Sequence, residues 1–248
     1  MGCAIIIPAR YRSSRFPGKV LAPLAGRPMI QHVWERATAV PDIDRVIVAT
    51  DDGRVAAAAT AFGAEVMMTS EACQSGTDRV AEAAAAIASD IIVNLQGDLP
   101  LIPPRLIAAA RQPLLDDPAV MMSTLKRPMT RLDELQSPNT VKVVTDRNGD
   151  ALYFSRSPIP MARDLAAADP LPPGVYFHHL GLYVYRKSFL TTFAKLPAGR
   201  LEQLEQLEQL RALEHGYRIR VVEVDEGTVE VNAPDDLVAA EAAYHGRG

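Results

Sequence analysis

Apolar and polar positions along the first half of the chain alternate between two spacings. Continuously apolar runs of strand length are followed by longer segments in which apolar residues recur at helical spacing. The apolar runs are CAIIIP (3–8), RVIVAT (45–50), AEVMMT (64–69) and DIIVNLQ (90–96), and the helical segments are PMIQHVWERATAV (28–40), an Ala-rich stretch ending at Phe62, DRVAEAAAAIAS (78–89) and PRLIAAARQPLL (104–115). This alternation predicts an α/β fold with a mostly parallel twisted sheet and helices on both faces. Ligands of such sheets bind beyond the carboxyl ends of the strands, so a site is expected in the loops after Pro8, Thr50, Thr69 and Gln96.

The second half has a different pattern, in which shorter strand-like pieces are joined by turn residues such as Asn148-Gly149. The pieces are AVMMSTLKRP (119–128), NTVKVVTD (139–146) and ALYFSRSPIP (151–160). We expect a small antiparallel extension within about 118–186 of a single domain spanning 1–248, used for pairing with a second subunit. The predicted order ends with a strand running into a helix (178–190), a Leu-Glu-Gln helix, a strand (219–225) and a last helix (234–245).

Composition narrows the class of protein. Apolar residues make up 48% and charged residues 23% of the chain, as in folded globular proteins. The formal net charge of −4 provides no global basic field for nucleic acid or anionic membrane. No apolar run reaches the roughly 20 residues that span a bilayer. Cys3 and Cys73 show neither metal-ligand nor disulfide spacing. We therefore expect a cytoplasmic protein that binds neither nucleic acid nor membrane.

The loop ARYRSSRFPGK (9–19) places four basic residues directly after the first predicted strand. Arg10, Arg12, Arg15 and Lys19 are interspersed with Ser13, Ser14 and Gly18. Guanidinium groups and backbone N–H groups of a tight Gly/Ser loop suit a nucleotide triphosphate. The Walker A spacing is absent, and composition alone weighs a solvated basic loop equally.

Asp98 follows the predicted strand 90–96 and a glycine, so its carboxylate is expected at the carboxyl edge of the sheet. A carboxylate there suits Mg²⁺, which prefers one or two carboxylates together with phosphate oxygens of the substrate. By residue type alone, a Gly-Asp pair at a strand end is more often an ordinary turn.

Several blocks of the sequence resemble one family of enzymes. They are IPARYRSSRFPGKVLAPLAGRPMI (7–30), QSGTDR (74–79), VNLQGDLPLIP (93–103), SPNTVKVV (137–144), YFSRSPIPMARD (153–164), HHLGLYVYR (178–186), LEQLR (207–211) and VNAPDDL (231–237). In order and spacing they are similar to the CMP-KDO synthetases, or 3-deoxy-manno-octulosonate cytidylyltransferases, over essentially the whole chain. The resemblance implies Mg²⁺-dependent transfer of CMP from CTP to the anomeric hydroxyl of KDO for lipopolysaccharide synthesis, by a cytoplasmic homodimer with the nucleotide-diphospho-sugar transferase type of fold.

The resemblance also implies roles for individual residues. The catalytic set is Arg10, Arg15, Lys19 and Asp98; the nucleotide-binding set is Ala9, Arg10, Ser14, Arg15, Lys19, Ser75, Gly76 and Arg79; the acceptor-binding set is Gln96, Arg163, His179, Tyr183, Glu208 and Gln209; and the metal ligands are Asp98 and Asn232. Each has an ordinary alternative. Ser75 is also a natural helix cap, Arg163 could be solvated, and His179 without the resemblance is better interpreted as a core histidine.

Two positions depart from the family pattern. Leu99 stands where the family usually has Glu after Gly-Asp, and Asn232 stands where it has the second metal carboxylate. An amide oxygen coordinates Mg²⁺ without contributing charge, so weaker metal binding or recruitment of a neighbouring acid is expected. Asp235 is the nearest candidate, although capping or charging the first turn of the last helix is its more natural role.

The stretch RLEQLEQLEQLRALEHG (200–216) repeats Leu-Glu-Gln three times. Leucines every three residues drift by about 60° per step on a helix of about 3.6 residues per turn, which is too broad for a coiled-coil seam. We expect one helix whose leucines pack on the sheet, with Glu208 and Gln209 contributing to the acceptor site.

Three other functions remain open at this point. The same reaction could use another acidic sugar, such as an amino-KDO, because of Leu99 and Asn232. A nucleotide-binding protein without turnover has Asn232 as its support. A transferase acting on a sugar 1-phosphate is weakened by Arg163, His179 and the LEQLR block.

Overall fold

A computed structural model describes residues 2–12, 16–164 and 170–246. The strands are β1 (Cys3–Pro8), β2 (Pro23–Leu24), β3 (Arg27–Pro28), β4 (Arg45–Thr50), β5 (Glu65–Met68), β6 (Ile91–Asn94), β7 (Met122–Pro128), β8 (Lys142–Thr145), β9 (Ala151–Ser155), β10 (Phe177–Arg186) and β11 (Arg220–Glu223). The α-helices are α1 (Met29–Thr38), α2 (Gly53–Ala61), α3 (Gly76–Ala85), α4 (Pro104–Asp116), α5 (Leu132–Gln136), α6 (Lys187–Phe193), α7 (Arg200–Glu205), α8 (Leu210–Glu214) and α9 (Pro234–His245). None of the helices in these ranges has the length and hydrophobicity needed to cross a bilayer.

The first compact unit comprises Met1–Ala108, Val184–Ala194 and Thr228–Gly248. Its strands follow the order β6-β1-β4-β5. β1 pairs in parallel with both β4 and β6, and β4 pairs in parallel with β5. All six residues of β1 are buried, because a central parallel strand is covered on both faces. The predicted α/β fold is confirmed, with β1, β4 and α9 at the predicted residues.

Parallel pairing brings the carboxyl ends of these strands to one edge of the sheet. Thr50 at the end of β4 pairs with Met68 at the end of β5, and Ile6 of β1 pairs with Asn94 at the end of β6. The loops that follow β1, β4, β5 and β6 therefore lie at this edge, where the sequence predicts the site.

The second compact unit comprises Ala109–Tyr183 and Lys195–Gly227. β8 pairs antiparallel with β9 and, through His178 and Lys142, with β10. These pairs form the antiparallel extension that the sequence predicts. β7 differs from the other predicted pieces of the extension, because it pairs in parallel with β11. Met129, Leu135, Leu171 and Tyr176 form a small apolar cluster in this unit.

The prediction of one continuous Leu-Glu-Gln helix is wrong. α7 ends at Glu205, Gln206 adopts left-handed backbone angles (φ 52°, ψ 49°), and α8 begins only at Leu210. The predicted leucine stripe is divided in the same way, since Leu207 and Leu210 are buried whereas Leu204 is 68% exposed. Local helix propensity favours a continuous helix here, so the break is a product of tertiary contacts.

Candidate functional site

The loop after β1 is closed by a backbone hydrogen bond. The N–H of Gly18 donates to the carbonyl of Tyr11 at 2.8 Å. Gly18 has φ 73°, and a side chain there would meet the Tyr11 ring at 3.2 Å, so both the backbone angle and the space require glycine. The Arg54 guanidinium lies 3.4 Å from the centre of the same ring. Ser14 and Arg15, predicted to bind phosphate, lie outside the described residues.

Arg10 is held against the segment that precedes α3. Its guanidinium donates to the carbonyls of Cys73 and Ser75 at 2.5 and 2.8 Å. The preceding Ala9 is buried, and its N–H donates to Ala49 at 2.8 Å. Beside this arginine is a cavity of about 170 Å³, and its lining carries both cations and carboxylates: Arg10, Arg12, Asp51, Asp52, Glu71 and Cys73. Arg10 is therefore pre-positioned at the predicted nucleotide edge.

Ser75 caps α3, as its alternative interpretation predicts. The Ser75 Oγ accepts from Asp78 N at 3.1 Å, and the Asp78 carboxylate accepts from Ser75 N at 2.9 Å, which is a capping box. Gly76 packs so closely on Gln96 that a Cβ would lie 3.1 Å from its Oε1. The two residues are thus neighbours although the sequence predicts one in the nucleotide set and the other in the acceptor set.

Arg79 has a fully buried side chain. Its guanidinium donates to Asp51 at 2.8 Å and to Thr69 Oγ1. The two partners follow β4 and β5, so this arginine ties together the loops at the strand ends. Arg79 therefore stabilises the predicted nucleotide site indirectly, by holding the loops that follow β4 and β5.

Gln96, the predicted acceptor ligand of the first unit, is oriented by a short polar chain. Its amide Nε2 donates to Asn94 Oδ1 at 2.7 Å, and the Asn94 amide donates to Thr77 Oγ1 at 3.2 Å. Asn94 and Thr77 are buried, so these bonds fix the direction of the Gln96 side chain.

Asp98 pairs with Lys19. Their carboxylate and ammonium groups are 2.9 Å apart, and the two side chains are only 21% and 13% exposed. A hydrogen bond of 2.9 Å from the N–H of Val231 to the carbonyl of Asp98 brings the segment that carries Asn232 beside this carboxylate. The Asn232 amide donates to Glu230 Oε1 at 2.7 Å. The segments that carry the two predicted metal residues are therefore adjacent. Lys19, which the sequence places with Asp98 in the catalytic set, pairs with Asp98, and Glu230, which the sequence interpretation did not include, bonds to Asn232.

The side chains of Asp98 and Asn232 offer oxygen atoms as metal ligands, and oxygen is the donor type that Mg²⁺ prefers. Within the described ranges, no group of three or more His, Cys, Asp or Glu side chains could hold a metal ion. One carboxylate and one amide oxygen still fit Mg²⁺, because this ion usually keeps several waters and takes its other ligands from substrate phosphates.

The capping role considered for Asp235 belongs to Asp236. The Asp236 carboxylate accepts from the N–H groups of Asn232 and Ala233, both at 2.7 Å. Asp235 is exposed in the first turn of α9, where its charge favours the helix dipole. The Pro at the first helical position and an acid two residues later mark this capping box in the sequence. Leu99 is 4% exposed and belongs to the core.

In the second unit, His179 and Tyr183 lie on the same face of β10. Their rings are 5.5 Å apart, and the His179 ring also meets Phe154 edge-on at 4.8 Å. His179 Nε2 is 2.9 Å from Thr124 Oγ1. Burial lowers the pKa of His179 to about 3, so the imidazole is neutral near pH 7. This geometry matches the core-histidine alternative.

Glu208 and Gln209 lie on the turn that separates α7 from α8. Gln209 is 3% exposed, and the described residues offer no hydrogen-bond acceptor to its Nε2. Buried amide donors are normally satisfied, so this group needs an acceptor atom from outside the described residues. Arg211 lies 3.6 Å from Glu208. Arg163 is exposed, as in its solvated alternative.

Sequence reasoning missed a charged network in the second unit. Lys142 is fully buried and donates to the carbonyls of Ser137, Thr140 and Arg156 at 2.9, 2.7 and 2.6 Å. Glu205 accepts from Ser155 Oγ and Arg156 N at 2.7 and 2.9 Å. A lysine inside the apolar strand VKVV is the one signal that could have drawn attention to it.

Comparison with known proteins identifies the family. Residues 4–219 match the family model described as cytidylyltransferase. The chain is 56% identical to a 3-deoxy-manno-octulosonate cytidylyltransferase of Syntrophotalea carbinolica, over 99% of this chain and 100% of the relative. It is 55% identical to the enzyme of the same name from Solibacter usitatus, over 94% and 90% of the two chains.

A solved structure agrees over the full length. The structure of a CMP:2-keto-3-deoxy-manno-octonic acid synthetase complexed with CTP has a TM-score of 0.93 and 44% identity, covering 100% of both chains. A cytidylyltransferase of Leptospira borgpetersenii, 16% identical with a TM-score of 0.64, shares the fold. The chain therefore belongs to the cytidylyltransferase family and, within it, to the 3-deoxy-manno-octulosonate cytidylyltransferases.

Proposed function

We propose that this protein transfers CMP from CTP to the anomeric hydroxyl of KDO, releasing pyrophosphate and supplying CMP-KDO for lipopolysaccharide synthesis. The observation that carries this proposal is the full-length similarity to a synthetase complexed with CTP, at 44% identity and a TM-score of 0.93. The curated relatives that carry the corresponding enzyme name match over nearly the whole chain. Because CTP is made inside the cell, we also propose a cytoplasmic location.

The nucleotide is held by the first unit. Arg10, Arg15 and Lys19 provide positive charge for the triphosphate, and Ser14 of the same loop provides a hydroxyl donor. The carbonyls of Cys73 and Ser75 fix the direction of the Arg10 guanidinium before substrate arrives, which lowers the entropy lost on binding. Arg79 holds Asp51 and Thr69 in place, so its contribution is indirect.

Asp98 and Asn232 would hold Mg²⁺. When bound, this ion neutralises charge on the α-phosphate and polarises the attacking hydroxyl. The chain itself contributes Lys19 of the same loop as Arg10, and the Lys19 ammonium group pairs with Asp98 at 2.9 Å. Positioning and charge neutralisation account for most of the catalysis in reactions of this type, and no covalent nucleophile is required.

The acidic sugar is recognised by residues of the second unit, Arg163, His179, Tyr183, Glu208 and Gln209. The buried Nε2 of Gln209 supports this assignment, because it needs an acceptor atom from outside the described residues. Gln96 is kept as an acceptor ligand on the resemblance alone. The exposed guanidinium of Arg163 is suited to the sugar carboxylate. Neutral His179 and Tyr183 are suited to hydroxyl groups.

We also propose a homodimer formed through the antiparallel extension. β9 pairs with β8 alone among the described strands, and Leu152 on β9 is 63% exposed. An apolar side chain on an edge strand is a common element of subunit interfaces. Sedimentation of Leu152→Glu beside the unaltered protein tests this: the variant should sediment as a monomer, and an unchanged dimer would exclude this surface.

The reaction is tested by measuring pyrophosphate release with CTP, Mg²⁺ and KDO. Rapid release that needs all three components is expected. Parallel reactions with an amino-KDO decide the alternative acceptor that Leu99 and Asn232 raise. CTP binding without release with either sugar would contradict the proposed function and favour a nucleotide-binding protein without turnover.

A further inference from the structure

The Leu-Glu-Gln repeat is broken at a residue that is not glycine. Gln206 has φ 52° and ψ 49° and terminates α7. Side chains disfavour these left-handed angles, and the surrounding Leu, Glu and Gln residues favour a continuous helix. Neither the backbone angles nor the helix propensities of this stretch explain the break, so contacts from elsewhere in the unit must hold it.

Arg156, which directly follows β9, makes those contacts. Its Nε donates to the carbonyl of Glu205 at 2.7 Å, and a terminal nitrogen donates to the carbonyl of Gln206 at 3.3 Å. The last carbonyls of a helix have no partner within the helix, and a guanidinium group satisfies two of them here. The other terminal nitrogen donates to Pro138 at 2.9 Å, which anchors the same group to the segment before β8.

Glu205 in turn bonds to the segment that carries Arg156. Its carboxylate accepts from the N–H of Arg156 at 2.9 Å and from Ser155 Oγ at 2.7 Å. Lys142, buried beneath, donates to the carbonyl of Arg156 at 2.6 Å. The Arg156 side chain thus bonds to the backbone at the end of α7, and the Glu205 side chain bonds to the backbone at the end of β9. Lys142 also holds the Arg156 backbone in place.

The helix break at Gln206 determines the directions of the side chains that follow it. Leu207 and Leu210 turn into the core, and Glu208 and Gln209 occupy the turn between them. The Nε2 of Gln209 is buried with no acceptor among the described residues, a state that is costly unless a ligand supplies the acceptor. On a continuous helix, each residue would rotate by about 100° from the last, so these two side chains would take other directions.

We propose that Arg156 is a positioning residue for recognition of the acidic sugar: it holds the helix break at Gln206 that presents Glu208 and Gln209. This inference rests on the proposed function, because it assigns the sugar to this turn. Arg156 acts through the backbone of Glu205 and Gln206 and does not itself touch the sugar.

The test combines Arg156→Met with substitutions at Gln206. Arg156→Met should raise the KM for KDO about tenfold or more, the loss expected when charge-assisted bonds are removed, while the Kd for CTP stays within twofold. Gln206→Gly in the Arg156→Met background should restore most of the KM, because glycine adopts the left-handed angles freely. Gln206→Ala in the same background should not restore it. A loss of general stability would lower the fraction of active protein, and hence the apparent kcat, without raising the KM for KDO.

Two measurements keep the result clear. Arg131→Met, which removes an exposed arginine of the same unit, is the matched control and should change neither constant. If Arg156→Met does not fold, Arg156→Lys, which keeps the charge but cannot bond to Glu205, Gln206 and Pro138 with the same planar group, should raise the KM for KDO by a smaller factor, and Gln206→Gly in that background should restore it. Equal KM values for Arg156→Met and the unaltered protein, or no rescue by glycine, would overturn the inference.

Amide hydrogen exchange of residues 205–211 supplies a readout that needs no turnover. Arg156→Met should speed exchange of this segment by about tenfold, the change expected when charge-assisted bonds are lost, and the added Gln206→Gly should slow it again. Unchanged exchange in Arg156→Met would overturn the inference even if the unaltered protein released no pyrophosphate. If the unaltered protein releases no pyrophosphate but Arg156→Met speeds amide exchange as expected, the result counts against the proposed function alone.

Discussion

Two regions of the molecule are built in different ways. One is the nucleotide edge of the first unit, formed by the loops after β1, β4, β5 and β6, and the other is the acceptor turn of the second unit, residues 206–209 between α7 and α8. At the nucleotide edge, Arg10 and Asp98 lie within about four residues of the ends of two buried parallel strands, β1 and β6. At the acceptor turn, Arg156, Glu205 and Lys142 come from separate segments and hold each other through backbone carbonyls. The first design depends on local order along the chain, whereas the second depends on a network.

This difference predicts different responses to substitution. Groups at the nucleotide edge contact substrate charge directly, so their removal should change catalysis more than folding. Lys142 is buried, Arg156 and Glu205 are half-buried, and the three groups depend on one another, so their removal should change acceptor recognition and stability together.

Asp98→Asn should have the largest effect and defines the nucleotide edge most sharply. Loss of the carboxylate should lower kcat by about 10²–10³-fold, the range for removal of one preorganised charge-stabilising group. CTP binding without metal should persist. Pyrophosphate release and calorimetry measure the two effects, with the exposed Asp235→Asn as control. Comparable losses in both variants would contradict a special role for Asp98.

Lys19→Met should have the next largest effect. It removes the ammonium group that pairs with Asp98 at 2.9 Å. The KM for CTP should rise about 10- to 100-fold, as for hydrogen bonds to charged groups, with little change in the KM for KDO. Lys195→Met, which removes an exposed lysine, is the control for steady-state kinetics. An increase confined to the KM for KDO would contradict the proposal that the first unit binds the nucleotide and the second unit recognises the sugar.

Acid should destabilise the acceptor region through its buried histidines. Burial lowers the pKa of both His178 and His179 from 6.5 to about 3. Between these values the unfolded state binds more protons, so stability is full above pH 6.5 and falls as the pH drops toward 3, by at most about 1.4 kcal/mol per pH unit for each histidine. Denaturant unfolding across this range measures the slope. His179→Gln should reduce it by about one proton, and an equal slope would contradict the assignment.

Asn232→Asp should have the smallest effect. An added carboxylate beside Asp98 should tighten Mn²⁺ binding in the presence of CTP by about tenfold, equivalent to about 1.4 kcal/mol. The gain is limited because the new carboxylate loses the Asn232 bond to Glu230 and faces its charge. Electron paramagnetic resonance of Mn²⁺ measures the affinity, with the Glu230→Gln double variant relieving the repulsion. Weaker binding in both variants would exclude this position from the metal site.

Much of the fold and of the nucleotide edge follows from the order of residues. The apolar run 3–8 and the run 45–50 become β1 and β4 without change, and PDDLVAAEAAYH becomes α9. Strands buried on both faces need continuous apolar sequence, and parallel strands bring their following loops to one edge. The positions of Arg10 and Asp98 follow from that rule alone.

The acceptor turn was decided only by tertiary structure. Residues 200–214 have a helical sequence, yet two carbonyls bonded to Arg156 and burial of Leu207 and Leu210 outweigh a propensity difference of less than about 1 kcal/mol per residue. By contrast, the choice of Asp236 over Asp235 as the α9 cap is local, since the Asp236 carboxylate accepts from the N–H of Asn232 only four residues earlier. Sequence determines which segments are apolar and where strands end, because those properties are local. Which charged group meets which carbonyl depends on residues about 50 positions apart in the chain, as for Arg156 and Glu205, and only the folded chain brings them together.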